Sequence, residues 1–61
     1  MNEIITAKNT LLDAQRYHGR NVHKVTNIRF ALLVFVEMEE EKQQSINEVI
    51  RLTNTLRQLI K

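Results

Sequence analysis

The chain has 61 residues, with no cysteine, no proline, a single glycine and a formal net charge of +2 at pH 7. The lack of cysteine excludes disulfides and, with only two histidines present, argues against a structural zinc site. The longest apolar run, residues 30–36, is far shorter than the roughly 20 residues that cross a bilayer. Since proline and glycine are the main helix breakers, the composition favours one small helical domain, residues 1–61.

The first predicted helix spans about residues 2–17 and ends in a turn at 18–21. Its apolar residues recur every three or four positions, as on one face of a helix: Ile4, Ala7, Leu11 and Ala14. Gly19 suits the left-handed position that often follows a helix end. Asn21 is then a candidate N-cap for the helix that follows.

The second predicted helix spans about residues 22–44. One face collects Val25, Ile28, Leu32, Phe35 and Val36. Leu33 and Val34 add apolar surface on the other side, and Phe30 and Phe35 are both expected in a core. A helix that is apolar nearly all round has to be covered on several sides, and 61 residues supply little other protein to cover it. We therefore expect the chain to associate with another chain.

The third segment, residues 45–61, has two interpretations. Ser45 and Glu48 have the spacing of a capping box, which predicts a new helix start at 45. Residues 39–44 are good helix formers without a breaker, which predicts one continuous helix from 22 to 60 instead. The sequence leaves both open. The expected fold is all-α, either a helical hairpin or a small three-helix unit with a break near 44–45.

The charges are segregated along the chain. Between residues 16 and 29 the sequence has no carboxylate and four basic residues: Arg16, Arg20, Lys24 and Arg29. A run of four glutamates then occupies positions 37 and 39–41. The basic segment could contact phosphates or an acidic protein, could meet the acidic run of a neighbouring chain in antiparallel register, or could form a solvated face. The sequence does not choose among these three interpretations.

The residues provide no machinery for catalysis. His18 and His23 are five apart, which is not the spacing of paired metal ligands on a helix, and Ser45 has no neighbouring base. One glycine cannot build a phosphate-binding loop. We therefore expect no enzyme activity, no cofactor and no metal. Residues 1–6 lack the basic and apolar stretches of a secretory signal, so we expect a cytoplasmic location and no membrane association.

The favoured functional hypothesis is a small protein–protein interaction module, such as an inhibitor, adaptor or regulator. It would self-associate as a homo-oligomer and bind another protein through an apolar helix face, since apolar anchors at an interface centre contribute most of the binding energy. The residues predicted to bind partners are Leu32, Leu33, Phe35, Val36, Ile46, Val49, Ile50, Leu56 and Ile60. The alternative is that these residues make the chain's own core, as several of them are expected to do.

The alternative hypothesis is a nucleic-acid-binding regulator that uses the basic segment 16–29. Residues 26–30, followed by a helix and then by residues 45–51, resemble a ribbon-helix-helix repressor. That resemblance implies a dimer whose paired strands enter the major groove, with Asn27 and Arg29 toward the bases and Ile28 and Phe30 toward the core. The chain departs from the family pattern because no glycine precedes its last helix.

Overall fold

The computed structural model describes residues 2–61. They form three helices, α1 (Asn2–Gln15), α2 (Val22–Lys42) and α3 (Ile46–Leu59). No strand occurs among these residues, which confirms the all-helical class. Residues 26–30, the strand implied by the ribbon-helix-helix resemblance, lie inside α2. There the 3.6-residue period of the helix places Phe30 on the exposed side, so its expected position in the core is wrong.

The connection between α1 and α2 is organised by Tyr17. The backbone N–H of Asn21 donates to the Tyr17 hydroxyl at 3.1 Å, and the Tyr17 ring lies against Gly19. A Cβ added at Gly19 would come within 2.8 Å of the ring carbon Cε1 and would collide with the ring end. The predicted left-handed conformation is wrong, since Gly19 has no positive φ. Glycine is required here for space under an aromatic ring.

The helix is interrupted between α2 and α3, and Glu39 accepts two hydrogen bonds from this connection. Gln43 takes the left-handed conformation (φ 56°), and its N–H donates to the Glu39 backbone carbonyl at 2.9 Å. The N–H of the buried Ser45 donates to the Glu39 carboxylate at 2.7 Å. The continuous helix considered above is therefore excluded within residues 22–60.

The predicted capping box does not form, although the helix starts where it suggested. The Ser45 side chain makes no capping hydrogen bond, and its backbone carbonyl accepts from the Val49 N–H. Glu48 accepts instead from the Arg51 guanidinium at 2.6 Å, and that hydrogen bond lowers the pKa of Glu48. The capping proposed for Asn21 is also wrong, because its side chain makes no capping bond to α2.

The core lies where the three helices meet, in a body of 34 × 18 × 15 Å. α1 contributes alanines, which let the other two helices approach closely, and α2 and α3 contribute the larger side chains. The ion pair between Lys8 and Glu40 (2.8 Å) joins the middle of α1 to the last part of α2. The start of α1 lies beside residues 39–43 and its end beside residues 29–33, so these helices run antiparallel. The buried apolar residues are Ala7, Ala14, Val25, Leu32, Val36, Val49, Leu52 and Leu56.

Candidate protein interface

The nine residues predicted to bind partners separate into three groups. Four lie in the chain's own core, where a partner cannot reach them while the chain is folded: Leu32, Val36, Val49 and Leu56. Three are half-buried against that core: Phe35, Ile46 and Ile60. The two exposed residues are Leu33 on α2 and Ile50 on α3. The structure therefore moves the accessible apolar surface away from most of the predicted set.

An accessible apolar surface lies on the outside of α2. Phe30 is 58% exposed and Val34 53%, and these side chains follow one another along the helix with Met38 at 41%. Leu33 (45%) and, on α1, Leu12 (56%) flank the same side. We call these five residues the apolar outer face. Phe30, Val34 and Met38 have i, i+4, i+8 spacing, the sequence signal that could have identified them as one stripe.

Leu12 belongs to this face because α1 and α2 form a shallow groove there. The groove is lined by Leu12, Gln15, Arg29, Phe30 and Leu33, together with the half-buried Leu11. The Arg29 guanidinium lies 5.7 Å from the centre of the Phe30 ring, within cation–π range. This contact favours one orientation of an otherwise exposed ring. A restrained aromatic side chain loses less conformational entropy when a partner covers it.

The four predicted basic residues are not gathered into one site. Arg16 lies where α1 and α3 end, and it lines a groove with Arg57, Lys61 and His18 beside a single carboxylate, Asp13. Sequence reasoning missed Arg57 and Lys61 because they are about 40 residues away along the chain. Arg20 is exposed in the first connection, while Lys24 and Arg29 lie on α2.

The fold turns the segregation of charge along the chain into two charged ends. The end where α2 begins holds Arg16, Arg20, Lys24, Arg57 and Lys61. The opposite end, where α2 finishes, holds Glu39, Glu40, Glu41, Glu3 and Glu48, with Lys42 among them and with Glu40 and Glu48 paired to Lys8 and Arg51. A body 34 Å long is several times the Debye length of about 8 Å, so the two ends act as separate charged surfaces.

Other kinds of site are not apparent in the described part of the chain. Within residues 2–61 no three side chains of histidine, cysteine, aspartate or glutamate come together as metal ligands. None of the three helices has the length and apolar character needed to cross a membrane. No protein-family model, curated protein or solved structure matches the chain.

Proposed function

We propose that this chain is a small helical protein–protein interaction module that self-associates and binds a further protein through the apolar outer face. The observation that supports the proposal is the continuity of this face. Phe30, Val34 and Met38 form a stripe along α2, and Leu33 and Leu12 widen it toward α1. Contiguous apolar patches on soluble domains commonly mark interaction sites, whereas scattered apolar residues do not.

The composition of the face also suits an interface centre. It combines an aromatic ring with leucine, valine and methionine, and aromatic and methionine side chains are enriched in such centres. Charged residues surround it, with Arg29 and Glu37 on α2 and the Lys8–Glu40 ion pair between α1 and α2. An apolar centre with a charged rim is the usual anatomy of an association surface.

The test is a pair of aspartate substitutions in the face, Phe30→Asp and Val34→Asp, with Asn54→Asp on the exposed side of α3 as the matched control. The wild-type and control chains should sediment above the 7.2 kDa monomer at several hundred micromolar concentration. The two face variants should sediment as monomers and keep the helical circular dichroism of the wild type, because both side chains are exposed in the single chain.

The proposal fails if two results are obtained together. The wild type stays monomeric at several hundred micromolar, and the immobilised wild type retains the same proteins as the immobilised Phe30→Asp chain. It also fails if both face variants associate as strongly as the Asn54→Asp control.

A second candidate function is contact with nucleic acid or an acidic protein through the basic end of the bundle. The observation in its favour is that Arg16, Arg57 and Lys61 line one groove, with Arg20 nearby. Binding of phosphates by such a cluster would weaken steeply with salt. Salt-dependent retention on a DNA column that is lost in Arg16→Glu and unchanged in Phe30→Asp would favour this function over the first.

A further inference from the structure

Six exposed residues on α2 have the spacing of a coiled-coil seam. The intervals between them alternate between four and three positions, which keeps all six on one line of the helix. They are His23, Asn27, Phe30, Val34, Glu37 and Glu41. The middle of the line is apolar, one end carries a histidine and the other end carries carboxylates. A partner helix therefore has to be apolar at its centre and of opposite polarity at its two ends.

The charges beside this line have the same polarity. From Val22 to Val36, α2 contains no carboxylate and carries Lys24 and Arg29, whereas residues 37–41 include four glutamates. Two copies of α2 in parallel would place glutamate against glutamate, which is unfavourable, and two antiparallel copies would place each acidic half against a basic half. The helix is therefore complementary to a reversed copy of itself.

The remainder of the bundle strengthens this preference. α1 and α3 add Arg16, Arg57 and Lys61, beside Asp13, to the end where α2 begins, and Glu3 of α1 lies at the other end, where Glu48 of α3 is paired with Arg51. The whole molecule thus has one basic and one acidic end along its 34 Å axis. An antiparallel neighbour brings opposite ends together at both limits of the contact, whereas a parallel neighbour brings like charges together.

We propose that the occupant of the apolar outer face is a second copy of this chain, docked antiparallel along α2. The two-fold axis passes level with Leu32. Phe30 then packs on the partner's Val34, Asn27 faces the partner's Glu37, and His23 faces the partner's Glu41. This inference rests on the proposed function, since it uses the same face, and it specifies the partner and its orientation.

The surface area that a standard interface buries requires the residues beside the line as well. A standard interface buries about 800 Å² on each partner, which is about a sixth of the 4593 Å² surface of this chain. The helix line is narrow, so the surfaces beside it have to take part. Leu33 lies one position beyond the axis and meets its own copy there, and Leu12 extends the contact toward α1. Because the interface is two-fold, both copies bury their Leu33 and their Leu12 in it.

The orientation can be tested by disulfide trapping, because the chain has no cysteine of its own. His23→Cys and Glu41→Cys chains are mixed in equal amounts, allowed to associate and oxidised, and the products are identified by mass. Positions 23 and 41 lie about 27 Å apart along a helix, well beyond disulfide reach. The antiparallel arrangement therefore predicts about nine-tenths mixed disulfide, against about half for random pairing.

A matched control replaces the Glu41→Cys chain with Asn47→Cys, which places the thiol on exposed α3 outside the line. This mixture should show no excess of mixed disulfide. Circular dichroism of each reduced variant should equal that of the wild type, because the substituted residues are exposed.

Charge reversal gives an independent measurement. The double variant Glu37→Lys with Glu41→Lys should raise the dimer dissociation constant at least tenfold, because it places lysines opposite the basic half of the partner. Asn54→Lys on the exposed side of α3 is the control for added positive charge away from the line and away from both charged ends, and it should change the dissociation constant less than threefold.

The outcomes separate this inference from the proposed function. Suppose that the chain sediments as a dimer and that Phe30→Asp makes it monomeric. Disulfides between identical positions, or a random mixture of disulfides, would then overturn the antiparallel arrangement but would not contradict the proposed interaction module. A chain that is monomeric at several hundred micromolar overturns the second copy as occupant. In that case the proposed function is also overturned if Phe30→Asp leaves the binding of other proteins unchanged.

Discussion

α2 and α3 are both helices with many apolar residues, but they distribute them in different ways. α3 buries Val49, Leu52, Thr53 and Leu56 on one side, and its opposite side carries polar residues such as Arg51 and Asn54. α2 buries Val25, Leu32 and Val36, yet it also exposes five large apolar side chains: Val22, Phe30, Leu33, Val34 and Met38. α3 exposes a single large apolar side chain, Ile50 at 39%, so the fold of one chain covers most of its apolar surface. The sequence of α2 contains more apolar surface than that fold covers.

This difference separates the parts of the molecule that maintain the fold from the part that is available to a partner. The core face of α3 contacts both other helices, so a change there should act on folding. The outer face of α2 is in contact with solvent in the single chain, so a change there should act on association. The four predictions that follow test this division, from the largest expected effect to the smallest.

Leu56→Ala and Leu33→Ala compare the same substitution on the two faces. Leu56 is fully buried, and its truncation should lower the free energy of unfolding by about 3 kcal/mol, a large part of what so small a domain has. Leu33→Ala should change it by no more than about 0.5 kcal/mol in the monomer. Urea denaturation followed by circular dichroism at low micromolar concentration measures both.

The concentration dependence sharpens this comparison. The cost of Leu33→Ala should grow as the chain is concentrated, because the substitution weakens an association that stabilises the folded state, and the cost of Leu56→Ala should not grow in that way. Equal costs for the two variants at low concentration would contradict the division between the faces.

Glu39→Ala tests the residue through which α2 fixes the start of α3. The Glu39 carboxylate accepts a hydrogen bond from the Ser45 N–H, and its removal should lower the free energy of unfolding by about 1.5 kcal/mol, because the buried N–H then lacks its charged acceptor. Glu39→Gln keeps an acceptor oxygen and should cost less.

Glu41→Ala, at an exposed site two positions further on, is the control for Glu39→Ala in thermal unfolding at low micromolar concentration, where the chain is monomeric, and it should change the stability little. A loss as large as that of Glu39→Ala would show that overall charge, and not the bond to Ser45, is responsible.

Thr53→Val tests the buried hydroxyl group on the core face of α3. The Thr53 hydroxyl is buried and has no hydrogen-bond partner among residues 2–61. Replacing it with a methyl group of the same shape should stabilise the chain by about 1 kcal/mol, equivalent to a rise in Tm of roughly 4–8 °C. Calorimetry at neutral pH is the measurement.

Thr10→Val is the matched control in α1. The Thr10 side chain is also buried, but its hydroxyl donates to the Thr6 carbonyl at 2.8 Å. This variant should gain no stability. A similar gain in both variants would mean that β-branched packing, and not the unpaired hydroxyl, sets the effect at Thr53.

Gln43→Gly should give the smallest effect, a stabilisation of about 0.5 kcal/mol. Gln43 has a left-handed backbone, which costs a side-chain-bearing residue about 1 kcal/mol, and glycine relieves this cost while adding entropy to the unfolded chain. The adjacent Gln44→Gly should be neutral or destabilising, because Gln44 has no positive φ. Parallel urea titrations of the two variants distinguish these outcomes.

Several features followed from local sequence alone. The absence of proline and the apolar spacing predicted helices, and the single glycine indicated a turn within 18–21, inside the observed connection 16–21. The details of the turns were not predictable in this way. The left-handed residue is Gln43 and not Gly19, and the acceptor at the second break is Glu39, six residues before Ser45. These choices depend on which side chains the packed helices bring within reach.

The candidate interface shows the same limit. The sequence indicated an excess of apolar residues in 30–36, but it assigned Leu32 and Val36 to a partner and Phe30 to the core, and the fold reverses all three positions.

Composition and periodicity determined that this chain is helical and that α2 is apolar on more than one side. Only the packing of α1 and α3 decided which side remains in water, because burial depends on where neighbouring helices lie and not on the period of one helix. The same packing brought Arg57 and Lys61 beside Arg16 and so created the charged ends that the linear order of residues only partly showed.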